Sequence, residues 1–413
     1  MSLGPPVPAA VAVASATRSF SCRSTRSQCQ RWTAAPSRCS EAVPPEAWPG
    51  RCYSSQLIGR TVRRVRADEA GPGLRESQTP AVLTDLAFGE LISPKWTFDY
   101  LDLGFDGTPL VRVLHLQPGA AGRFLYREAG EERLSPFSGL KAPAPATQRE
   151  IPFATVRRKL ERELRRRQKA ARGSTRLEAA EVYLQTPLYT APPMKSGSDY
   201  ALGRSVASNW ELDGEGGHRM QGDFESLGWD TFARIGYERQ VLLHSVLFVS
   251  LPGAWTPLHY DTTDNLFLQV RGRKRVLLFS PAEFPRLYPF PVRHPCDRQS
   301  QLRLELDSED QRRCFPRSCE LDGRGYEIVL GEGEALRIPP FWWHQIESIE
   351  GEPCISVSLW YEGIRLSEEL PQGCLGGESK SGPGTQAVSA SSEAGEVLLL
   401  RAVEEGLCRM CAE

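Results

Sequence analysis

The chain has almost no net charge. Lysine and arginine number 50 against 51 aspartates and glutamates, a formal charge of -1 over 413 residues. No global field therefore draws it to nucleic acid or to an anionic membrane surface. It also has no apolar run of about 18 residues, so no transmembrane helix is expected. Histidine is scarce, with only six. Acidic residues are missing before Glu41, although that stretch is dotted with arginine, serine and proline. The eleven cysteines follow no regular spacing, and no secretory signal is read at the start. Both facts argue against a disulfide framework and for reduced thiols in an intracellular compartment. The "CRMC" pair Cys408 and Cys411 has the spacing of half a metal or redox site, but no second pair or βαβ context completes it.

What is present falls into segments. Residues 1–55 are rich in Ala, Ser, Pro and Arg and read either as a presequence-like or as a disordered extension. Cytoplasm and nucleus are the expected compartments, with the mitochondrion as the alternative that this Arg/Ser-rich start would favour. Residues 56–180 read as an N-terminal α/β segment that packs on a barrel formed by the residues after it. Within it, "PAVLTDLAF" has the look of a short buried strand, "PKWTFDYLDL" of a short helix, and "LVRVLHL" alternates like a strand. Over 150–172, Phe153, Val156, Leu160 and Leu164 form one apolar stripe of a helix whose other faces are basic. Those basic faces are expected to be solvated.

From Arg239 onward strands dominate. "QVLLHSVLFVSLPG" is a long apolar run ending in Pro-Gly. "NLFLQVRGRKRVLLFSP" reads as a hairpin turning at "RGRK", and "YEIVLGEGEALRIPP" as two strands around "GEGE". In "CISVSLWYEG", Ile355, Val357 and Leu359 alternate with Ser356, Ser358 and Trp360. Short strands without intervening helices predict a mainly β barrel or jelly roll over 181–363, with flanking helices. Residues 364–413 read as a Gly/Ser-rich flexible tail ending in a short apolar helix.

One histidine stands apart. His259 is followed two residues later by Asp261, at the head of a strand pattern, so both side chains share one face. His344, in "IPPFWWHQIES", comes after a later strand and offers a second imidazole. His115, His218, His244 and His294 have no acid at such spacing, and His244, inside an apolar run, reads as a core residue. Two imidazoles and one carboxylate on an open face make the ligand set of a non-haem Fe(II) oxygenase. Lys274, beyond the "RGR" turn, can neutralise the far carboxylate of a keto-acid co-substrate. Arg271, Arg273 and Arg275 flank it and are expected in solvent.

"TPLHYD", "NLFLQVRGRKRVLLFSP", "LYPFPVRHPCDRQSQ" and "IPPFWWHQIES" resemble the JmjC-type 2-oxoglutarate oxygenases. Within them the "HPCDRQSQ" block points to the asparaginyl hydroxylases that inhibit hypoxia-inducible factor. The resemblance implies a double-stranded β-helix, a cupin-like jelly roll. It implies His259, Asp261 and His344 as iron ligands, with Fe(II), 2-oxoglutarate and O2 as cofactor and co-substrates. Lys274, Thr256 and Tyr183 would hold the 2-oxoglutarate carboxylate, with Asn265 and Ser358 close by. Tyr126 in "FLY", Arg298, Gln299 and Trp360 would hold the target side chain. The implied reaction hydroxylates the β-carbon of asparagine in hypoxia-inducible factor α or ankyrin-repeat proteins. Ser358 stands where the family has asparagine. The family's pair of C-terminal dimerising helices is replaced here by the Gly/Ser-rich segment and one helix, which leaves a homodimer open. A histone lysine demethylase, a different β-barrel metal enzyme, which would not explain Lys274 or the "DRQSQ" block, and a catalytically silent paralogue acting as a binding module are the rival readings.

Overall fold

Two long strands, bent in the middle, carry the architecture of the computed structural model. It describes residues 53–105, 110–116, 123–125, 146–170, 179–190, 220–292, 294–305, 309–366 and 386–412. The extension before Tyr53, Tyr126, His218, the Gly-rich "GEGG" and most of the Gly/Ser-rich segment lie outside these residues.

In chain order the strands are β1 (Ile58–Thr61), β2 (Arg63–Arg66), β3 (Ala81–Thr84), β4 (Val111–His115) and β5 (Thr147–Ile151). After them come β6 (Val182–Thr190), β7 (Leu242–Ser250), β8 (His259–Tyr260), β9 (Asp264–Phe279) and β10 (Gly325–Leu330). The last are β11 (Ala335–Ile338), β12 (Trp343–Tyr361), β13 (Ile364–Leu366) and β14 (Gln386–Val388). Twelve of them form one sheet, and β13 with β14 a separate pair.

β9 and β12 pair antiparallel along nearly their whole length, from Trp343 opposite Phe279 to Tyr361 opposite Asp264. The expected hairpin at "RGRK" is instead a bend inside one continuous strand. The register of the pair breaks between Glu350 and Ile355. There Gly272 (φ +75°) lies against Gly351 (φ +112°). A Cβ on Gly272 would lie 2.3 Å from the Glu350 carbonyl oxygen. Only glycine combines that backbone with that approach. "RGRK" therefore folds the sheet over itself rather than ending a strand.

The bend splits the sheet into two layers. The first halves of β9 and β11 and the second half of β12 continue through β7, β6, β4 and β5 on one side, and through β3 and β2 on the other. The second half of β9 pairs with the first half of β12 and with β10; β1 extends the layer beyond β10, and β8 pairs with the start of β12. This is the jelly roll expected from the strand pattern.

Alternation decides the faces. Val357, Leu359, Leu266, Leu268, Leu247 and Val249 turn outward into a core shared with Phe88, Trp96 and Leu101. The helix Phe153–Ala170 covers that core with Phe153, Val156 and Leu160. Burying each of the last two stabilises by roughly 1.5–3 kcal/mol. Its basic side is only partly solvated: Arg157 meets Asp99, Asp102 and Glu161, Arg166 meets Glu181, and Arg167 meets the buried Glu163. Inside the roll stand Phe267, Val276, Leu278, Ile328, Leu336 and Ile346.

The expected short apolar tail helix is longer, Glu393–Ala412, and it docks. Ala394 and Val397 join Leu277, Phe279, Tyr260 and Trp343 on the outer face of the second layer. No helix among the described residues is long and apolar enough to cross a membrane.

Candidate metal centre

Register alone brings the two histidines together. β8 pairs with the start of β12 so that His259 stands opposite His344. Their ring centroids are 4.2 Å apart. Asp261, two residues after His259, returns to the same face. One ligand atom from each of His259, Asp261 and His344 lies within 4.8 Å of the others.

Backbone carbonyls orient both rings. His259 Nδ1 is 2.8 Å from the Pro257 carbonyl oxygen, and His344 Nδ1 is 3.0 Å from that of Trp342. A proton on each Nδ1 leaves each Nε2 lone pair aimed at the shared point, as metal-ligating histidines require. Burial, then the neighbouring His259, pushes His344 down to about 4, so it is neutral at pH 7, the ligating form. Asp261 is held from two sides. Its Oδ2 accepts from Trp360 Nε1 at 3.2 Å, and Arg298 lies 3.6 Å from its Oδ1.

Deeper in the roll stands Lys274, fully buried. Its Nζ donates to Ser356 Oγ at 2.7 Å and Tyr183 Oη at 3.3 Å. The rings of Tyr183, Phe248 and Phe267 surround it at 5.3–5.4 Å. Among the described residues no carboxylate lies within ion-pairing distance. Burial pulls the ammonium down to about 8. Burial also raises the Tyr183 hydroxyl, which stays protonated. A buried cation met by two hydroxyls and ring faces but by no carboxylate among the described residues is under-compensated, and an anion beside it would correct this.

The remaining sequence-derived residues are distributed around these two points. Asn265 pairs in register with Ile338 and Trp360, and its buried Oδ1 has no hydrogen-bond partner. Thr256 Oγ1 accepts the Ile346 N–H at 3.3 Å rather than meeting Lys274. Ser358 is buried opposite Phe267, but it is Ser356, two residues earlier, that bonds Lys274. Gln299 bridges to His259, and the Arg298 carbonyl accepts the Tyr260 N–H at 3.0 Å. The "HPCDRQSQ" block is therefore folded against the metal-bearing strand. Trp360 bonds Asp261 as well as lining the space.

The chain matches the model of the cupin-like domain over residues 73–365. It belongs to that family. Similar proteins include the HSPB1-associated protein 1 of Bos taurus, 36% identical over 141 residues, 34% of this chain and 27% of the relative. The Jumonji C domain-containing protein 5 of Drosophila melanogaster is 34% identical over 110 residues, 27% of this chain and 25% of its own. The tRNA wybutosine-synthesizing protein 5 of Mus musculus is 32% identical over 127 residues, 31% of this chain and 37% of its own. The matched stretches thus span well under half of these relatives.

The cupin-like roll suits a small divalent metal: two imidazoles and a carboxylate converge at one end, with an ammonium that no carboxylate among the described residues meets and an orphaned amide oxygen inside. Three contributors escaped the sequence reading. Ser356 shares a strand face with Ser358, so only the cross-strand register distinguishes them. His244, read as core, stands opposite Trp360 and stacks on its indole at 4.7 Å and 18°. Burial pushes it to about 4, so it too is neutral. Arg275, expected in solvent, pairs with the buried Glu347 at 3.0 Å on the outer face.

Proposed function

We propose that the protein is an Fe(II)- and 2-oxoglutarate-dependent protein hydroxylase. The observation that carries this reading is one barrel interior holding both halves of the requirement. The His259, Asp261 and His344 atoms lie within 4.8 Å of one another, and the buried Lys274 lacks a carboxylate partner among the described residues. Iron with 2-oxoglutarate and O2 supplies hydroxylation of a C–H bond, with succinate and CO2 as the other products.

The chain's own residues bind and orient. His259, Asp261 and His344 would hold the metal on one face and leave its other positions open. Lys274, Tyr183 and Ser356 offer three donors to the far carboxylate of the co-substrate. Phe267, Val276, Leu278 and Ile346 keep water from that charge pair, which strengthens it. Trp360 and Arg298 restrain Asp261. Arg298, Gln299, His244 and Trp360 face the end where a substrate side chain would enter.

The finer assignment is hydroxylation of an asparagine β-carbon in hypoxia-inducible factor α or an ankyrin-repeat protein. It is supported by the sequence block "HPCDRQSQ" and its place against His259. A protein partner also accords with the relative named HSPB1-associated protein 1. Lysine demethylation is the second reading, favoured by a relative named lysine-specific demethylase JMJ30 in Arabidopsis thaliana, 36% identical over 109 residues.

The test is anaerobic and then aerobic. Protein loaded with Fe(II) and 2-oxoglutarate is expected to show a visible metal-to-ligand charge-transfer band that His344→Ala abolishes. With O2 and asparagine-containing ankyrin peptides it should form succinate and an oxygenated peptide. Formaldehyde from methyl-lysine peptides would favour demethylation instead. A folded protein with no band would leave a binding module built on the roll.

A further inference from the structure

The last helix reaches the metal centre from behind. Arg401 donates to both carboxylate oxygens of Asp297, at 2.7 and 2.8 Å, and to the Tyr260 hydroxyl at 2.5 Å. Each acceptor is one residue from the centre. Tyr260 lies between His259 and Asp261. Asp297 precedes Arg298, whose carbonyl accepts the Tyr260 N–H and whose guanidinium lies 3.6 Å from Asp261. Arg298 is held at φ +65°, a left-handed conformation unfavourable for its side chain, so something outside the turn must impose it.

The surroundings of this contact are closed. Tyr260 packs edge-on against Trp343, with ring centroids 4.7 Å apart. Glu404 of the same helix accepts the Val292 N–H at 3.2 Å, anchoring the front of the "HPCDRQSQ" segment. Asp297 is 7% exposed. A bidentate arginine–carboxylate pair of this kind fixes direction as well as distance.

We propose that Arg401 is a positioning residue for the metal centre. It ties strand β8 and the Asp297–Gln299 turn to the docked helix, and so sets the separation of His259 and Asp261 and keeps Arg298 beside the carboxylate. Metal affinity then depends on a helix that touches no ligand. This inference rests on the metal reading above.

The experiment is a Co(II) titration of the full chain, following the visible absorption of the bound ion. Arg401→Ala should weaken Co(II) binding about ten-fold or more, in the range set by loss of residues that orient ligands. It should also alter the band shape at saturation. Arg401→Lys, which keeps the charge but not the fork, should restore only part of both. Tyr260→Phe removes one hydroxyl, leaves Asp297 paired, and should give an intermediate loss; it keeps the test open if Arg401→Ala does not fold. Leu160→Ala, a destabilised control remote from the clamp, should bind and absorb like the parent. Parental affinity and spectrum in folded Arg401→Ala or Tyr260→Phe would overturn the inference while leaving the metal reading intact. So would an equal loss in Leu160→Ala. No Co(II) binding by the parent chain would overturn the metal reading and this inference with it.

Discussion

Lys274 is the residue on which the chemistry of the pocket and the stability of the chain meet. Burial lowers it from an ordinary 10.5 to about 8. Between those pH values the unfolded chain still holds a proton that the folded chain has released. Stability therefore rises with pH across that window, by about 3 kcal/mol in all, and below it the cost of the buried charge is constant. Urea titrations from pH 7 to 10.5 should show this rise in the parent chain and lose it in Lys274→Met, which should also be the more stable protein at pH 7. The same substitution should abolish 2-oxoglutarate binding while Co(II) still binds. A co-substrate carboxylate beside Nζ would favour the ammonium, so 2-oxoglutarate affinity should fall as pH rises above about 8. At this scale the sequence marked Lys274 as a basic residue on the right strand. The resemblance also grouped Tyr183 with it, but nothing in the sequence showed that Ser356, rather than Thr256 or Ser358, bonds its ammonium, because that contact crosses from β9 to β12.

Among the elements, the bend in β9 and β12 matters most, since it folds Ser356 and Tyr183 over onto Lys274. Periodicity was enough to find β3, β4, β7, both halves of β9, β10, β11, the second half of β12, the helix Phe153–Ala170 and the shared face of Ser356, Ser358 and Trp360, but it did not mark β6, which carries Tyr183. It misread "RGRK" as a hairpin, because a glycine flanked by strand-like runs signals a turn whether the chain reverses or the sheet folds over. What distinguishes them is Gly351, far along the chain, whose own Cβ would lie 2.7 Å from Gly272 Cα. Gly351→Ala should therefore cost at least about 3 kcal/mol, from a strained φ and a backbone clash together. Its expected outcome is a lowered urea midpoint, or loss of folded protein, without any direct change at the metal ligands. The basic helix shows the opposite case: its pattern fixed the buried stripe, but the acidic partners of Arg157, Arg166 and Arg167 come from elsewhere in the fold.

Taken as a whole molecule, the roll joins two layers across an interior that contains both an apolar lining and unanswered polar groups. Those groups cost stability until a ligand meets them. Binding to the folded chain alone raises stability by RT ln(1 + [L]/Kd), about 2.7 kcal/mol at a hundred times Kd. Co(II) with 2-oxoglutarate should therefore raise the thermal midpoint more than either does alone, and a chelator should reverse the gain. In His344→Ala the metal-dependent part should vanish. The docked last helix belongs to this scale too. The sequence showed an apolar stretch after a Gly/Ser-rich segment, and only the fold set it against Tyr260 and Asp297.

The sequence by itself determined the local choices: where strands and helix form, which side of each is apolar, and that His259 and Asp261 share a face. These choices come from periods of two and of 3.6 residues, which neighbours in the chain fix. The tertiary structure decided what stands opposite what. His344 against His259, Ser356 against Lys274, His244 against Trp360 and Arg401 against Asp297 are all products of register and of the bend at Gly272 and Gly351. Register is settled by the summed packing of whole strands, and no single stretch of residues encodes it.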